Sequence, residues 1–220
     1  MNFFEINNIW ETRGVIFVDK SRTYISDDAI IGEGTVLYPD VYLEGKCVIG
    51  KNCQILPGSF LVNATIGNDT KIISSRITDS SVGDHCSVGP NSHLRLNTKV
   101  MNECRIGNFV EFKNTEFGNQ SRCAHLTYLG DSVVGEDVNI GCGVVTVNYD
   151  GVNKHKTIIQ DHAFVGSNSN LIAPLTIGKY GLVAAGSTIN KDIEDGDMAI
   201  ARSRQEYKKA FGYKYIKKER

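Results

Sequence analysis

Residues 25–61 read ISDDAIIGEGTVLYPDVYLEGKCVIGKNCQILPGSFL, and within them Ile25, Ile31, Leu37, Leu43, Ile49, Ile55 and Leu61 fall six apart without a miss. An amphipathic helix would place apolar residues at i, i+3, i+4 and i+7, and a half-buried strand would alternate by two, so neither accounts for a bare period of six. A hexapeptide period is the signature of a parallel β-helix, in which each six residues make one short flat strand and one corner. Glycine often follows the apolar residue, as at Ile31-Gly32 and Ile49-Gly50, and glycine, Asn and Asp suit corners that need unusual backbone angles.

The beat continues outward from this stretch. It passes through Ile66 and Ile72, then Val82, Val88, Leu94, Val100, Ile106 and Phe112, then Phe117, Cys123 and Leu129, then Val134 and Ile140. After a break it runs Ile159, Val165, Leu171, Ile177, Val183 and Ile189. Three six-residue sides close a triangular coil, so residues 25–193 predict roughly nine coils and, at about 4.8 Å per stacked strand, a prism about 40 to 45 Å long. Its interior is too narrow for a ligand. A site must therefore lie on an outer face, between one prism and another, or under a projecting loop. Periodicity fixes the coil and not its hand. Residues 1–24 show no clear period, with Val15 to Val18 as a short lead-in strand, and residues 194–220 form a polar, basic tail ending SRQEYKKAFGYKYIKKER.

Composition narrows the function classes. The apolar fraction of 41% is ordinary for a soluble globular chain of 220 residues. Lys and Arg number 24 against 25 Asp and Glu, which argues against nucleic acid or an anionic membrane as the main partner, so an anionic ligand must be held by local charge. The start, MNFFEINNIWETRG, lacks a signal peptide's basic and apolar regions, and no run is long enough to span a bilayer, which together predict a cytoplasmic protein. None of the six cysteines sits in a C-x-x-C pair. Cys47, Cys53, Cys86 and Cys104 each lie four places after an apolar repeat residue, in the slot filled elsewhere by Thr35, Ser59, Thr70 and Ser169, and read as small buried hydrophobes. Only Cys123-x-His125 offers a ligand-like pair, too few for a tetrahedral metal site.

The beat breaks after Ile140, within HLTYLGDSVVGEDVNIGCGVVTVNYDGVNK (125–154), where polar residues and the turn-forming Asp150-Gly151 push outward as a loop over about residues 146–157. A repetitive scaffold that carries one irregular excursion often does chemistry there, although a tolerated insertion would look the same. His125 is the candidate general base, since an imidazole can accept a proton near neutral pH. Glu111, fourteen residues earlier and within a coil's reach, is the candidate to orient it.

From Gly89 onward the chain resembles the acetyltransferase half of the GlmU family, bifunctional bacterial enzymes that make UDP-N-acetylglucosamine. The resemblance is carried by GPNSHLRL (89–96), IGNFVEFKN (106–114), AHLTYLGD (124–131), VNIGCGVVTVNYDGVNKHKT (138–157), FVGSNSNLIAPLTIG (164–178) and AIARSRQ (199–205), with RTYISDDAIIGEGTVLYPDVYLEG (22–45) matching that family's entry into its coil. It implies an all-β, left-handed parallel β-helix and an acetyl-CoA-dependent N-acetyltransferase whose acceptor is glucosamine 1-phosphate. The matching positions make His125 the proton acceptor. Arg95, Lys113 and Lys154 become cationic ligands of the sugar phosphate, and Tyr128 and Asn139 sugar contacts. Asn148 and Tyr149 would contact the amine and the acetyl donor, while Ser167, Ala185, Arg202 and the backbone at Cys142 would line the acetyl-CoA track.

Acetyl transfer of this kind requires no metal. One flat prism face cannot enclose a substrate, so a symmetric homotrimer with sites between subunits is expected, as in that family. Two departures stand out: the family's uridyltransferase domain is absent, which leaves room for a separate uridyltransferase as partner, and Cys142 and Ala210-Phe211-Gly212-Tyr213 replace the family's alanine and tail tryptophan. Two alternatives stay open: a different amino sugar or sugar nucleotide as acceptor, and a non-catalytic subunit that binds a sugar nucleotide.

Overall fold

The repeat residues point inward and fill the prism. Ile25, Leu37, Leu43, Ile55, Leu61, Ile72, Leu94, Phe112, Phe117 and Leu129 are fully buried along one continuous core. The structure, a computed structural model, describes residues 3–214; Met1, Asn2 and the end of the expected tail, residues 215–220, lie outside the described residues. Parallel strands stack coil on coil: Val36–Leu37 pairs with Gln54–Ile55, and Ile30–Ile31 with Val48–Ile49, each one full coil further along the chain. The fold is the left-handed parallel β-helix of hexapeptide repeats, with about ten turns. That is slightly more than the sequence predicts, because coiling begins earlier. Ile16–Phe17 already pairs with Val36–Leu37, and Thr23–Ile25 with Val41–Leu43.

One of the three faces is a separate nine-stranded sheet. The other two, here the first and second faces, merge into one 19-stranded sheet because Arg105–Lys113 and Arg122–Gly130 each run nine residues around the corner between them. The slip in the beat between Ile72 and Val82 also has a cause. Ile77 is a buried repeat residue five places from each, so two short sides shrink the local coil, and the pairing of Ser81 with Thr65 spans less chain than a regular coil does.

The Thr/Ser/Cys slot does more than fill space. Thr35 Oγ1 donates to the carbonyl of Gly50 at 2.7 Å and accepts the Cys53 amide at 3.1 Å. The Cys86 thiol likewise donates to the Met101 carbonyl at 3.0 Å and accepts the Cys104 amide at 3.3 Å. These side chains bond backbone groups between successive coils, where an unpaired polar group would be costly. Cys123 faces the same interior, and burial pushes its thiol up to about 12, while His125 is exposed; the two do not form a ligand pair.

Among the described residues the exceptions to the all-β expectation are two short 3₁₀ turns, Lys20–Arg22 and Phe211–Lys214, and one α-helix at the N-terminal end, α1 (Phe3–Thr12). Ile6, Asn7 and Trp10 form its buried stripe, and the Asn7 amide donates to the carbonyls of Lys20 (2.9 Å) and Thr23 (2.8 Å), closing the open end of the coil. A stripe of two apolar residues and an asparagine carries too weak a helical period to be read from the sequence.

Corners are built at positive φ by residues that tolerate it, such as Asp40 (φ 60°), Asn91 (55°) and Asn168 (56°). Phe109 (φ 56°) and Leu126 (45°) are bulky exceptions on successive coils, and both are exposed. The left-handed conformation costs an ordinary residue about 1–2 kcal/mol, and asparagine less. Leu126→Asn is therefore expected to raise Tm by roughly 2–4 °C in a thermal melt. A lower Tm would mean that the leucine side chain makes contacts that outweigh the strain.

Candidate functional site

His125 lies where the strand Arg122–Gly130 turns from the first face onto the second, directly opposite Asn108 of the preceding coil. The register of the first face extends this column. Arg122 pairs with Asn139, Asn139 with Phe164, and Phe164 with Leu182; three residues further along each strand stand His125, Cys142, Ser167 and Ala185. Four sequence-nominated residues thus occupy one corner column on four successive coils, spanning about 14 Å at the usual strand spacing. The Asn168 amide donates to the Cys142 carbonyl at 2.7 Å, and the Gly186 amide to the Ser167 carbonyl at 2.8 Å, holding the coils together beside it. Gly141 and Gly166 are explained by coil stacking alone: a Cβ on either would fall within 2.6 Å of the next coil's backbone nitrogen. Asn139 faces outward on the first face between Arg122 and Phe164, and the exposed Arg202 runs past Gly186 at the end of the column.

The cations collect at the other edge of the second face. Arg95 and Lys113 are adjacent in register. Arg95 binds Glu111 through Nε (2.8 Å) and its terminal nitrogen (2.7 Å). Lys113, only 8% exposed, binds Asp131 at 3.1 Å. Lys154 reaches the same spot from the excursion, where contact with Lys113 and its positive charge push the Lys154 ammonium below the ordinary lysine range. Among the described residues Lys154 has no carboxylate of its own, so this edge carries uncompensated positive charge. A Cβ on Gly130 would collide with the Tyr128 hydroxyl and crowd the Asn148 amide. Glycine there lets the phenol and the amide lie together beside the lysines.

The expected pairing of Glu111 with His125 is not what the fold builds within one protomer. Glu111 stands in register with His93 and Tyr128, three residues along from the partner of His125, and its carboxylate is engaged by Arg95. The reason is register: the corner at Phe109 and Leu126 separates the two positions, and the guanidinium on the neighbouring coil is the nearer partner.

The excursion is an ordered hairpin. Val145 pairs with Asn170, so the whole excursion is looped out of a single coil, which is longer than its neighbours by that amount. Tyr149 and Lys154 pair antiparallel, and the His155 amide donates to the Asn148 carbonyl at 2.8 Å. Asp150 caps the turn. It accepts the amides of Asn153 (2.6 Å) and Val152 (2.7 Å) and the His155 ring at 2.7 Å, which hold its carboxyl well below the usual carboxylate range. The Tyr149 hydroxyl donates to the Gly151 carbonyl at 2.6 Å, leaving the ring exposed.

Asp131 was not nominated by the sequence, yet it organises the cationic edge. Burial alone would raise its pKa, but hydrogen bonds from Asn114, Lys113 and Asn148 outweigh that and hold it below the ordinary carboxylate range. Many corners here carry Asp or Asn, so nothing in its local pattern distinguishes it.

Comparison with known proteins gives this geometry a family. A model described as the GMPPB C-terminal domain matches residues 20–172. The bifunctional protein GlmU of Shouchella clausii is 52% identical over 214 residues, which cover 97% of this chain and 46% of that protein. GlmU of Clostridioides difficile is 47% identical over 214 residues, covering 97% and 47% respectively. The chain spans about half the length of these relatives. Among solved structures, the UDP-N-acetylglucosamine acyltransferase of Francisella novicida aligns with 82% of this chain and 66% of that one at a TM-score of 0.46 and 20% identity. The Arabidopsis UDP-N-acetylglucosamine acyltransferase aligns with 80% and 69% at a TM-score of 0.44 and 14% identity. By its coil and by the extent of the family match, the chain belongs to the GMPPB C-terminal domain family, and the resemblance to GlmU read from its motifs extends over 97% of its length.

Proposed function

We propose that this chain is an N-acetyltransferase that moves the acetyl group of acetyl-CoA onto the amine of an amino-sugar phosphate, with glucosamine 1-phosphate as the acceptor. The observation that carries the reading is the single corner column of His125, Cys142, Ser167 and Ala185 on the same face as the cationic edge of Arg95, Lys113 and Lys154. The lysines and the arginine suit a phosphate dianion, and Tyr128, Asn139 and Asn148 supply hydroxyl and amide groups for the sugar. The small side chains of Ser167 and Ala185 leave room for a narrow acyl donor along the corner, with the exposed Arg202 available to its phosphates.

In the reaction, the sugar ammonium first gives up one proton to solvent, and His125 then accepts a second from the nitrogen as the neutral amine attacks the thioester carbon. The tetrahedral oxyanion is stabilised by N–H donors at the corner, the carbon–sulfur bond then breaks, and the thiolate leaves with the proton that His125 returns. Every atom transferred comes from the two substrates, and no metal takes part in these steps. Soluble, cytoplasmic sugar-phosphate metabolism feeding cell-wall precursors fits this chemistry, and among the described residues no helix is long and apolar enough to cross a membrane.

His125 and Lys113 stand at opposite edges of the second face, five or six residues apart along extended strand, roughly 16–20 Å. That is further than one hexosamine phosphate reaches, so a second copy that brings its own column against this cationic edge would complete the site, which supports the symmetric homotrimer; light scattering on the purified chain should give three times the monomer mass. A separate uridyltransferase would consume the product.

A second reading has its own observation. A groove of about 500 Å³ lined by Arg76, Thr78, Asp79, His93, Arg95 and Leu96 continues from the cationic edge. It has room for a longer acceptor, an amino sugar carried on a nucleoside diphosphate. The test is free-thiol release from acetyl-CoA with glucosamine 1-phosphate, glucosamine 6-phosphate and UDP-glucosamine in parallel. Release with glucosamine 1-phosphate is the expected result, and release with UDP-glucosamine alone would favour the second reading. No release with any acceptor, and no CoA binding by calorimetry, would sink the proposal.

A further inference from the structure

We propose that Asp131 is a positioning residue for the acceptor phosphate: its carboxylate clamps the cation-bearing coil to both ends of the excursion and sets where Lys113 and Lys154 stand. The inference rests on the functional reading above. Its Oδ2 accepts from Lys113 Nζ at 3.1 Å and from the Asn148 amide, and its Oδ1 accepts from the Asn114 amide at 2.6 Å. Its own backbone N–H donates to the Lys113 carbonyl at 2.9 Å, and its carbonyl accepts the Thr157 amide at 3.3 Å. Asn148 begins the excursion and Thr157 ends it, so one residue ties the coil to the entry and the exit of the loop that carries Lys154.

The comparison with equivalent corners separates this role from ordinary corner-making. Asn63, Asp79, Asn97 and Asn114 occupy the same corner on the four preceding coils, all at positive φ and all exposed. Asn63 and Asp79 make a plain ladder contact, amide to carboxylate at 2.9 Å. Asp131 alone of these five is drawn in, with a side chain 13% exposed against a Lys113 side chain 10% exposed. A largely buried carboxylate is not needed to turn the chain, since the other four corners turn without one. It is needed where two ammoniums are brought side by side. The carboxylate offsets the charge of Lys113, and Lys154 keeps its charge for an anionic ligand.

The test is the kinetics of Asp131→Asn, which keeps the shape and removes the charge. The KM for glucosamine 1-phosphate is expected to rise at least tenfold and the KM for acetyl-CoA several times less, because the column at His125, Cys142, Ser167 and Ala185 does not touch Asp131 and only Asn148 and Tyr149 link the excursion to the acetyl donor. Amide hydrogen exchange over residues 148–156 should quicken in the same variant, a readout independent of turnover, and Asp131→Glu should restore part of the acceptor affinity. Should Asp131→Asn fail to fold, Asn114→Ala decides: this exposed residue lies outside the proposed substrate contacts, and losing one donor to the carboxylate should raise the acceptor KM several-fold. A folded Asp131→Asn with both KM values unchanged, or an equal loss for both substrates, would overturn the inference and leave the proposed reaction standing. A wild-type chain inactive with every acceptor would remove the reaction and this inference together.

Discussion

His125→Ala is expected to lower kcat by a factor of 10² to 10⁴, the usual contribution of a positioned general base. The side chain is exposed at a corner, and its loss leaves the buried rows of the coil untouched, so the variant should fold and melt within a few degrees of the wild type. Acetyl-CoA should still bind, because the rest of the column is intact. The KM for the acceptor should change little, because the phosphate is held at the far edge of the face by Arg95, Lys113 and Lys154. A fall in kcat without a matching rise in either KM would mark a group that acts in the transition state. Steady-state thiol release with each substrate varied in turn measures this directly. Activity within a few-fold of wild type would contradict the role given to the imidazole.

Phe112→Ala should be the most damaging single change to the fold that also reaches the site. Phe112 is fully buried, packs against Phe117 at 5.0 Å between ring centroids, and stands in register with Leu94 and Leu129. Truncating a buried phenylalanine costs about 3–5 kcal/mol. At roughly 2–4 °C per kcal/mol for a chain of this size, Tm should fall by about 6–20 °C in a thermal melt. Glu111 and Lys113 flank it and point outward, so a collapse around the cavity would tilt both against Arg95 and Asp131. Contacts in a solenoid run between neighbouring coils, which makes Leu43→Ala, several coils away, a useful control. It should cost a similar order of stability and leave kcat unchanged at a temperature where both variants are folded. If Phe112→Ala kept full activity under those conditions, the cationic edge would not depend on the packing beneath it.

The coil is legible because its core is made of apolar residues at one spacing, and Ile25 to Leu61 repeat that spacing without interruption. Ile77 is hidden because two five-residue sides in succession look like a gap in a six-residue beat. Helix α1 is hidden because its buried stripe includes Asn7, whose partners are the carbonyls of Lys20 and Thr23, beyond the helix itself. Such a partner is set by the fold and leaves no local trace.

At the site, register did what spacing could not. The sequence places His125, Cys142, Ser167 and Ala185 at unequal intervals, and they form a column only once the excursion's extra length is assigned to a single coil. Nearness in sequence suggests Glu111 for His125, but strand register sets Glu111 beside His93 and Tyr128, where its carboxylate binds the Arg95 guanidinium. An aspartate at a corner is ordinary in this chain, and only the convergence of Lys113, Asn114 and Asn148 on its carboxylate sets Asp131 apart.

The most direct measurement is where the acetyl group lands. The wild-type chain, incubated with acetyl-CoA and glucosamine 1-phosphate, should yield a product whose mass and proton NMR spectrum show one acetyl group in amide linkage on the sugar nitrogen, with one equivalent of free CoA. Acetylation of a sugar hydroxyl, or intact acetyl-CoA after prolonged incubation with folded protein, would contradict the account.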